Sequence, residues 1–336
     1  MHTVLVTGGC GFIGSALVRR LLARGFCVHN IDKRTQAANP SLDHLEGPQY
    51  HWHNIDLAQG PAPVAALLAR TKPRFIFHLA AETHVDNSIA APLVSVQNNV
   101  LGAANLLEAV RTSGAQAAQM LEKIVWVSTD EVYGDCADTG PNHAFLESHK
   151  LQPSSPYSAS KSAADQLALA WHRTFGVPVV LSRCSNNYGP WQFPEKLIPK
   201  FIARALVGSP LPLYGDGLQQ REWLYVEDHV SALMLLAERG QLGEIYNVGS
   251  DALCTNRELI NTLCQLLDAA SPAGAPHATL ITQVEDRPGH DRCYKVCWQK
   301  IKALGWAPAT SLADGLQQTV AWYLANRKFL AAGESK

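Results

Sequence analysis

The sequence predicts an α/β chain: a doubly wound parallel sheet, followed by a smaller mixed α/β C-terminal lobe. Three observations predict it. Strand-like apolar runs alternate with helix-spaced stretches over the first two-thirds of the chain, the rhythm of right-handed βαβ units with helices on both faces of one sheet. A glycine-rich turn joins the first strand-like run to the first helix-like one. Beyond about residue 185 the rhythm breaks into short strands among Pro and Gly clusters. At about 100–200 residues per domain, 336 residues suit two units, here expected at 1–185 and 186–336 with some segments crossing back.

The elements follow in order. Residues 3–9 are a buried-strand run ending in glycine, and residues 12–24 carry Phe12, Ile13, Leu17, Leu21 and Leu22 at helical spacing. Strands are expected at 26–32 and 50–56, a short helix at 63–70 and a fourth strand at 74–81. A long helix at 92–113 precedes a fifth strand at 123–129. Another helix spans 157–175 and leads into a strand at 177–183. In the second unit, strands at 210–214, 221–225 and 244–248 mix with helices at 226–239 and 255–269. Residues 271–277 read as a loop, and the last helix, 312–326, bears Leu312, Leu316, Val320, Trp322 and Tyr323. Ligands of open α/β sheets bind at the C-terminal strand ends, so the second lobe should lie over them.

Composition excludes several classes. The balance of 28 Lys+Arg against 29 Asp+Glu leaves a net charge of −1, too little positive charge for a nucleic-acid or polybasic-membrane partner. An apolar share of 47% with so little net charge argues against disorder. Charged residues are 17% against a usual value of about 25%, which still allows a small local anion site. No apolar run approaches the ~18–20 residues of a membrane span, and Met1-His2-Thr3 shows no basic leader region. A cytoplasmic location is expected, with the eight cysteines as thiols. His51 and His53 share a strand face, but no ligand partner lies at zinc-site spacing, so no metal is expected.

The segment Thr7-Gly8-Gly9-Cys10-Gly11-Phe12-Ile13-Gly14 closes the first strand and opens the first helix. Gly8 suits the tight turn, Gly11 a close approach to a pyrophosphate, and Gly14 close helix–strand packing. The helix N-terminus then offers N–H groups and a positive dipole end. This is the Rossmann-type context for a dinucleotide. Asp32 ends the second strand 18 residues after Gly14, where a carboxylate accepts from the adenosine ribose and favours NAD over NADP. Lys33 and Arg34 follow and could instead meet a 2′-phosphate. Asp56 could sit by the adenine or simply cap a helix.

Tyr157 and Lys161 lie at i and i+4 on one helical face. A phenol of pKa about 10 is a poor base; a nearby ammonium lowers that value and makes the tyrosine usable. Thr129-Asp130-Glu131 ends the fifth strand. If both carboxyls reach the cleft, one can be held protonated as an acid while the other acts as a base. The alternative is that one caps the next turn.

These strings together resemble the extended short-chain dehydrogenase/reductase family, in its nucleotide-sugar 4,6-dehydratase branch. The resemblance rests on TGGCGFIG (7–14), AAETHVDNSI (80–89), STDEVYG (128–134), SPYSASKSAAD (155–165), SNNYGPWQFPEKLIP (185–199), REWLYVEDH (221–229), DRPGHDR (286–292) and GWAP (305–308). DEVYG and SNNYGP…FPEKLIP belong to this branch; the glycine loop and the Tyr/Lys pair are shared with epimerases and reductases. The resemblance implies a hydro-lyase of deoxysugar biosynthesis, with tightly bound NAD regenerated each turnover and a nucleoside-diphosphate hexose as substrate, dTDP-glucose first among them. It implies that Tyr157 removes the 4-hydroxyl proton, Thr129 holds that hydroxyl, Glu131 takes the C5 proton, Asp130 protonates the departing 6-hydroxyl and Lys161 bonds the nicotinamide ribose. It further implies cofactor contacts from Gly8, Gly11, Phe12, Ile13, Gly14, Asp32, Lys33, Ile55, Asp56 and Ala80. Substrate contacts are implied for His84, Asn186, Lys196, Leu197, Pro212, Tyr214, Arg221, Asn256, Arg287 and His290, with Arg292 a further pyrophosphate candidate.

A homodimer through a four-helix bundle of helices 92–113 and 157–175 is also implied. Asn87, Trp191, Cys293 and Cys297-Trp298 depart from the family pattern, around the ligand ends rather than the reacting centre. Two other readings share the scaffold: a nucleotide-sugar 4-epimerase or 5,6-dehydratase, and a non-catalytic NAD-binding regulator. The regulator would not need Tyr157 and Lys161, which this chain keeps.

Overall fold

A strand covered on both faces is apolar at nearly every position, and the first strands here are built that way. The computed structural model describes residues 2–45, 47–136, 144–286 and 289–331. Strands β1 (Thr3–Thr7), β2 (Cys27–Ile31), β3 (Tyr50–His53), β4 (Phe75–His78), β5 (Lys123–Thr129) and β6 (Val179–Cys184) come first. They are followed by β7 (Asn186–Tyr188), β8 (Leu211–Tyr214), β9 (Gln220–Tyr225), β10 (Ile245–Val248), β11 (Leu253–Thr255), β12 (Ile281–Val284) and β13 (Cys293–Tyr294). Seven of these form one parallel sheet in the order β10-β6-β5-β4-β1-β2-β3. The doubly wound Rossmann-type sheet expected from the sequence is therefore present.

Helices α1 (Phe12–Ala23), α2 (Ala62–Thr71), α3 (Val85–Ala90), α4 (Pro92–Ser95), α5 (Gly102–Thr112), α6 (Ala115–Met120) and α7 (Pro156–Phe175) belong to the first part. Helices α8 (Leu197–Leu206), α9 (Val226–Arg239), α10 (Asn256–Ala270), α11 (Gln299–Lys302), α12 (Leu312–Ala325) and α13 (Arg327–Ala331) follow. Side chains alternate across each strand and split between two cores. Val4, Val6 and Val125 pack with Leu17 and Leu21 of α1 and Leu233 of α9. Leu5, Ile76 and Ile124 pack with Leu67 of α2, Leu106 and Leu107 of α5 and Ala164 of α7. Helix α9 and strand β10 thus return from the second part of the chain to the first sheet.

The remaining strands make two small sheets, β11-β9-β13 with β7 on β9, and β12-β8. Their core is aromatic and aliphatic, with Tyr188, Phe201, Trp223, Leu263 and Tyr323. Short α3 was not expected from the sequence. The long helix expected at 92–113 is α4 and α5 joined by a wider π-helical stretch, Val96–Leu101. That wide stretch turns Asn99 inward, where its amide bonds the backbone of Glu82 and the Ser160 hydroxyl. Cys136 and Cys293 form a disulfide between the segment after β5 and β13, whereas the sequence reading expected thiols; the other six cysteines are thiols. No helix among the described residues is long and apolar enough to cross a membrane.

One buried ion pair ties α7 to the sheet. Arg183 Nε donates to Asp165 Oδ2 at 2.9 Å with side chains 2% and 0% exposed, and the guanidinium lies 4.9 Å from the Tyr133 ring. Removing one partner strands the other charge in the core. Asp165→Ala is expected to lower unfolding free energy by about 3–5 kcal/mol in urea titration. A loss below about 1 kcal/mol, the range of exposed pairs, would contradict it.

Candidate active site

The glycine loop is shaped by contact. Gly8 has φ +73°, and a Cβ there would lie 2.6 Å from the backbone nitrogen of Ala80. A Cβ on Gly14 would collide with the Gly8 carbonyl oxygen, and on Gly9 with the Asn30 side chain. Gly11 caps α1 without a side-chain hydrogen bond, and the first turn of α1 carries no acid. The N–H groups around Phe12 and Ile13 thus face the loop with the positive dipole end. These features fit a dinucleotide pyrophosphate.

At the adenosine end, Asp32 is fixed by the backbone N–H groups of Cys10 and Arg34, which donate to its two oxygens at 2.8 and 2.7 Å. Lys33 is engaged elsewhere: its ammonium donates to Asp56 Oδ2 at 3.1 Å and to Asn98 Oδ1 at 2.7 Å. Arg34 lies 4.0 Å from the Trp52 ring and pairs with Asp43. Both cations are thus engaged by side chains of the protein itself. Asp56 caps the next turn through Ala58 N–H, so its cap reading is realised, with Lys33 on its second oxygen. Ile55 packs at the edge of the α2-side core, and Ala80 lies against Gly8 with its N–H donating to Thr7 Oγ1.

The candidate catalytic groups come from the C-terminal end of β5 and from the first turns of α7. Thr129 ends β5, and its hydroxyl accepts from Glu131 N–H to cap the turn Asp130–Tyr133. Because Thr129 does the capping, neither acid is spent on it. Asp130 is 2% exposed, and its Oδ2 has no hydrogen-bond partner among the described residues. Burial first, then the charges of Glu131 and Glu222, hold its carboxyl well above the usual carboxylate range. Helix α7 begins with Ser155 in a reciprocal cap with Ser158 and Pro156 in its first turn. This start sets Tyr157 in the first turn and Lys161 one turn later.

The sequence reading had Lys161 lowering the Tyr157 phenol. The structure shows otherwise: burial, then Glu131, push the phenol well above its ordinary value, and the Lys161 ammonium donates to the Val127 carbonyl at 2.8 Å. Burial also lowers the Lys161 ammonium. Two nearby acids and desolvation outweigh one ammonium that is turned toward a strand carbonyl.

Beyond Glu131 opens a cavity of about 210 Å³. Of the ten substrate candidates, His84, Asn186, Lys196, Leu197, Pro212, Tyr214, Arg221, Asn256 and His290 line it; Arg287 lies outside the described residues. Buried Asn186 Oδ1 and Asn256 Oδ1 have no partner among the described residues, as expected of atoms awaiting a polar ligand. Arg221 is 6% exposed, donates to the Asp291 carbonyl at 2.9 Å and packs over Tyr294. Lys196 donates to the Thr83 carbonyl at 2.7 Å and stands at the uncapped N-terminus of α8. His84 caps α3, and His290 bonds Asp286. Arg292 departs from its expected place: it is exposed, pairs with Asp216 at 3.0 Å and does not line the cavity.

Two residues escaped the sequence reading. Glu222 is fully buried, and its carboxylate accepts from Ser185, Ser250, Asp251 and Val296. It joins three segments beneath the cavity floor. Tyr294 lines the cavity and bonds Asp291. Neither stood in a pattern of its own; Glu222 lies inside the REWLYVEDH stretch, where only Arg221 drew attention.

The family model described as GDP-mannose 4,6 dehydratase matches residues 5–319. A dTDP-glucose 4,6-dehydratase of Neisseria meningitidis serogroup B is 46% identical over 338 residues, covering 97% of this chain and 94% of that protein. The crystal structure of DesIV, a dTDP-glucose 4,6-dehydratase from Streptomyces venezuelae with NAD and dTDP bound, is similar at a TM-score of 0.87 and 41% identity, over 97% of this chain and 98% of that one. A UDP-glucose 4-epimerase of Thermus thermophilus in complex with NAD reaches 0.84 and 30%, over 96% and 99%. The fold and these likenesses lead to one conclusion: this chain belongs to the nucleotide-sugar 4,6-dehydratase family of extended short-chain dehydrogenases/reductases.

Proposed function

We propose that this chain is a hydro-lyase that removes water from a nucleoside-diphosphate hexose, dTDP-glucose first among them, to give its 4-keto-6-deoxy form. The observation that carries the reading is the Asp130-Glu131 pair, with Asp130 buried and proton-retaining and Glu131 on the cavity wall. A simple epimerase has no use for an acid and a base held apart at adjacent positions. The cofactor is NAD, which the glycine loop, Asp32, Tyr157 and Lys161 would hold; when bound it would supply reversible hydride acceptance, the redox capacity that a reaction without net oxidation needs.

The chain's own groups move the remaining protons. Tyr157 accepts the 4-hydroxyl proton in its phenolate form, which the positive charge of bound oxidised NAD would favour against the burial that raises the phenol, and Thr129 orients that hydroxyl. The 4-ketone acidifies C5–H, and Glu131 takes that proton. Asp130 gives its proton to the 6-hydroxyl, the C6–O bond breaks and water leaves. C5 is reprotonated as C6 is reduced, so the balance is loss of one water. One closed site suits these steps, because the intermediates are reactive toward solvent. Lys196, Arg221 and the α8 N-terminus suit the pyrophosphate, with Arg287 a further cation on the same reading; Tyr214 and His290 suit the nucleoside end.

Residues 1–185 form the cofactor part and 186–336 the mainly substrate-binding part, with α9 and β10 crossing back. The chain works as a homodimer. Ile89 near the end of α3 and Leu93, Val94, Val96 and Leu101 along the α4–α5 stretch expose apolar surface, Leu93 at 80%. Such a patch supports pairing of this stretch and α7 with their symmetry mates in a four-helix bundle. A cytoplasmic setting suits a chain that uses NAD and a sugar nucleotide.

Mass spectrometry after incubation with dTDP-glucose, UDP-glucose and CDP-glucose should show loss of water, fastest for dTDP-glucose. A product of unchanged mass would point to epimerisation instead. In the same assay Glu131→Gln should still oxidise C4 yet stop C5 exchange with solvent deuterium; persistent exchange would remove Glu131 from its role.

Asp130 also makes stability depend on pH. Its carboxyl is raised on folding, so its contribution is full below the unfolded value of about 4 and is lost as pH rises toward the folded one. Asp130→Asn should therefore be at least as stable as the parent at about pH 8, with the gap closing toward about pH 4, while turnover is lost. Lower stability at the alkaline end would contradict the assignment. For assembly, Leu93→Glu combined with Leu101→Glu should shift the light-scattering mass from dimer to monomer; an unchanged dimer would place the interface elsewhere.

A further inference from the structure

Parallel pairing puts residues directly across from one another on the same sheet face. Strand β2 pairs with the edge strand β3 so that His29 faces His51 and Ile31 faces His53. Cys27, His29, His51 and His53 therefore project from one face, the face that carries Ile31 into the α2-side core. Along either strand alone no zinc-site spacing exists. The ligand set is assembled by pairing across 22 positions of chain between His29 and His51.

The donor atoms of Cys27, His29 and His51 all lie within 4.8 Å of one another, and all three residues are partly buried. A tetrahedral ion with bonds of about 2.0–2.3 Å holds its ligand atoms roughly 3.3–3.8 Å apart, so rotamer adjustments of about 1 Å bring these atoms to ligation distance. His29 and His51 are stacked with centroids 4.8 Å apart. His29 Nδ1 lies 2.9 Å from His53 Nε2. With the shared proton on His29 Nδ1, its Nε2 lone pair is left to ligate, and His53 serves as the outer partner that fixes the tautomer.

We propose that Cys27, His29 and His51, backed by His53, form a site for a borderline-soft divalent transition-metal ion, Zn²⁺ first among them, that clasps β2 to β3. One thiolate and two imidazoles match that class of ion, and the partial exposure leaves a fourth position for water. Binding releases the Cys27 thiol proton to solvent as the S–metal bond forms. The clasp lies directly behind the adenosine end of the cofactor site. Asp32 N–H donates to the His53 carbonyl at 3.1 Å, and Trp52 Nε1 donates to the Asp32 carbonyl at 2.9 Å. An ion here stiffens the wall that carries Asp32, away from the reacting carboxyls.

The test uses metal-stripped full-length protein saturated with NAD. Equilibrium dialysis against Zn²⁺ with elemental analysis should find one ion per chain, and Co²⁺ should give tetrahedral d–d bands with a thiolate charge-transfer band. C27S should lose the charge-transfer band. C27S and H51Q should each weaken binding by more than the about 10–100-fold that loss of an outer partner costs. H51C, which exchanges one ligand type for another, should restore binding, and circular dichroism should show all variants folded. Absence of Zn²⁺ binding by the parent chain, or binding undiminished in both C27S and H51Q, would overturn the proposal and leave the cluster as stacked, hydrogen-bonded imidazoles.

Discussion

Desolvation of the turn after β5 is the constraint on which the rest depends. A carboxyl taken out of water favours its neutral form. At Asp130 that cost is not relieved by a salt bridge among the described residues, and the unpartnered Oδ2 keeps it in place. Burial thereby favours the proton-bearing form of a carboxyl directly after a strand of the main sheet. Its neighbour Glu131, partly exposed on the cavity wall, stands where a base can act. The difference between the two acids comes from position alone, since both sit on one short turn capped by Thr129.

The surroundings keep that turn dry and rigid. Glu222 accepts hydrogen bonds from three segments, and the Arg183–Asp165 pair locks α7, with Tyr157 and Lys161, against β6. Buried ionic groups of this kind contribute little net stability but are costly to break singly. They suit a site whose geometry must survive several proton transfers. The near-zero net charge of the chain fits the same pattern. On the proposed reading a pyrophosphate needs few placed cations, and two candidates, Lys196 and Arg221, are turned onto backbone carbonyls at the cavity edge.

Much of the fold was legible because its signals are local. The fifth strand was expected at 123–129 and is found there, since a doubly covered strand is a continuous apolar run. Helix α9 was equally plain. The π-helical stretch Val96–Leu101 was not legible, because what accompanies it is the distant pairing of Asn99 with Glu82 and Ser160. Similarly, Lys161 reads from its spacing as a partner of Tyr157. Only the packed α7–β5 junction turns its ammonium to Val127. The Cys136–Cys293 bond joins positions 157 residues apart, which no spacing rule reaches.

The sequence by itself determined the cofactor sheet, the glycine loop, the Tyr157–Lys161 helix and the Asp130-Glu131 strand end, because each is written within a few consecutive residues. The tertiary structure decided how tightly those groups hold their protons, and which scattered residues share a wall. Burial sets the state of Asp130 and Tyr157, and burial is a property of the packed chain. The same holds for the cavity, where residues from 84 to 290 converge, and for the histidines of β2 and β3. Spacing along one strand set them aside, and pairing across two brought them together.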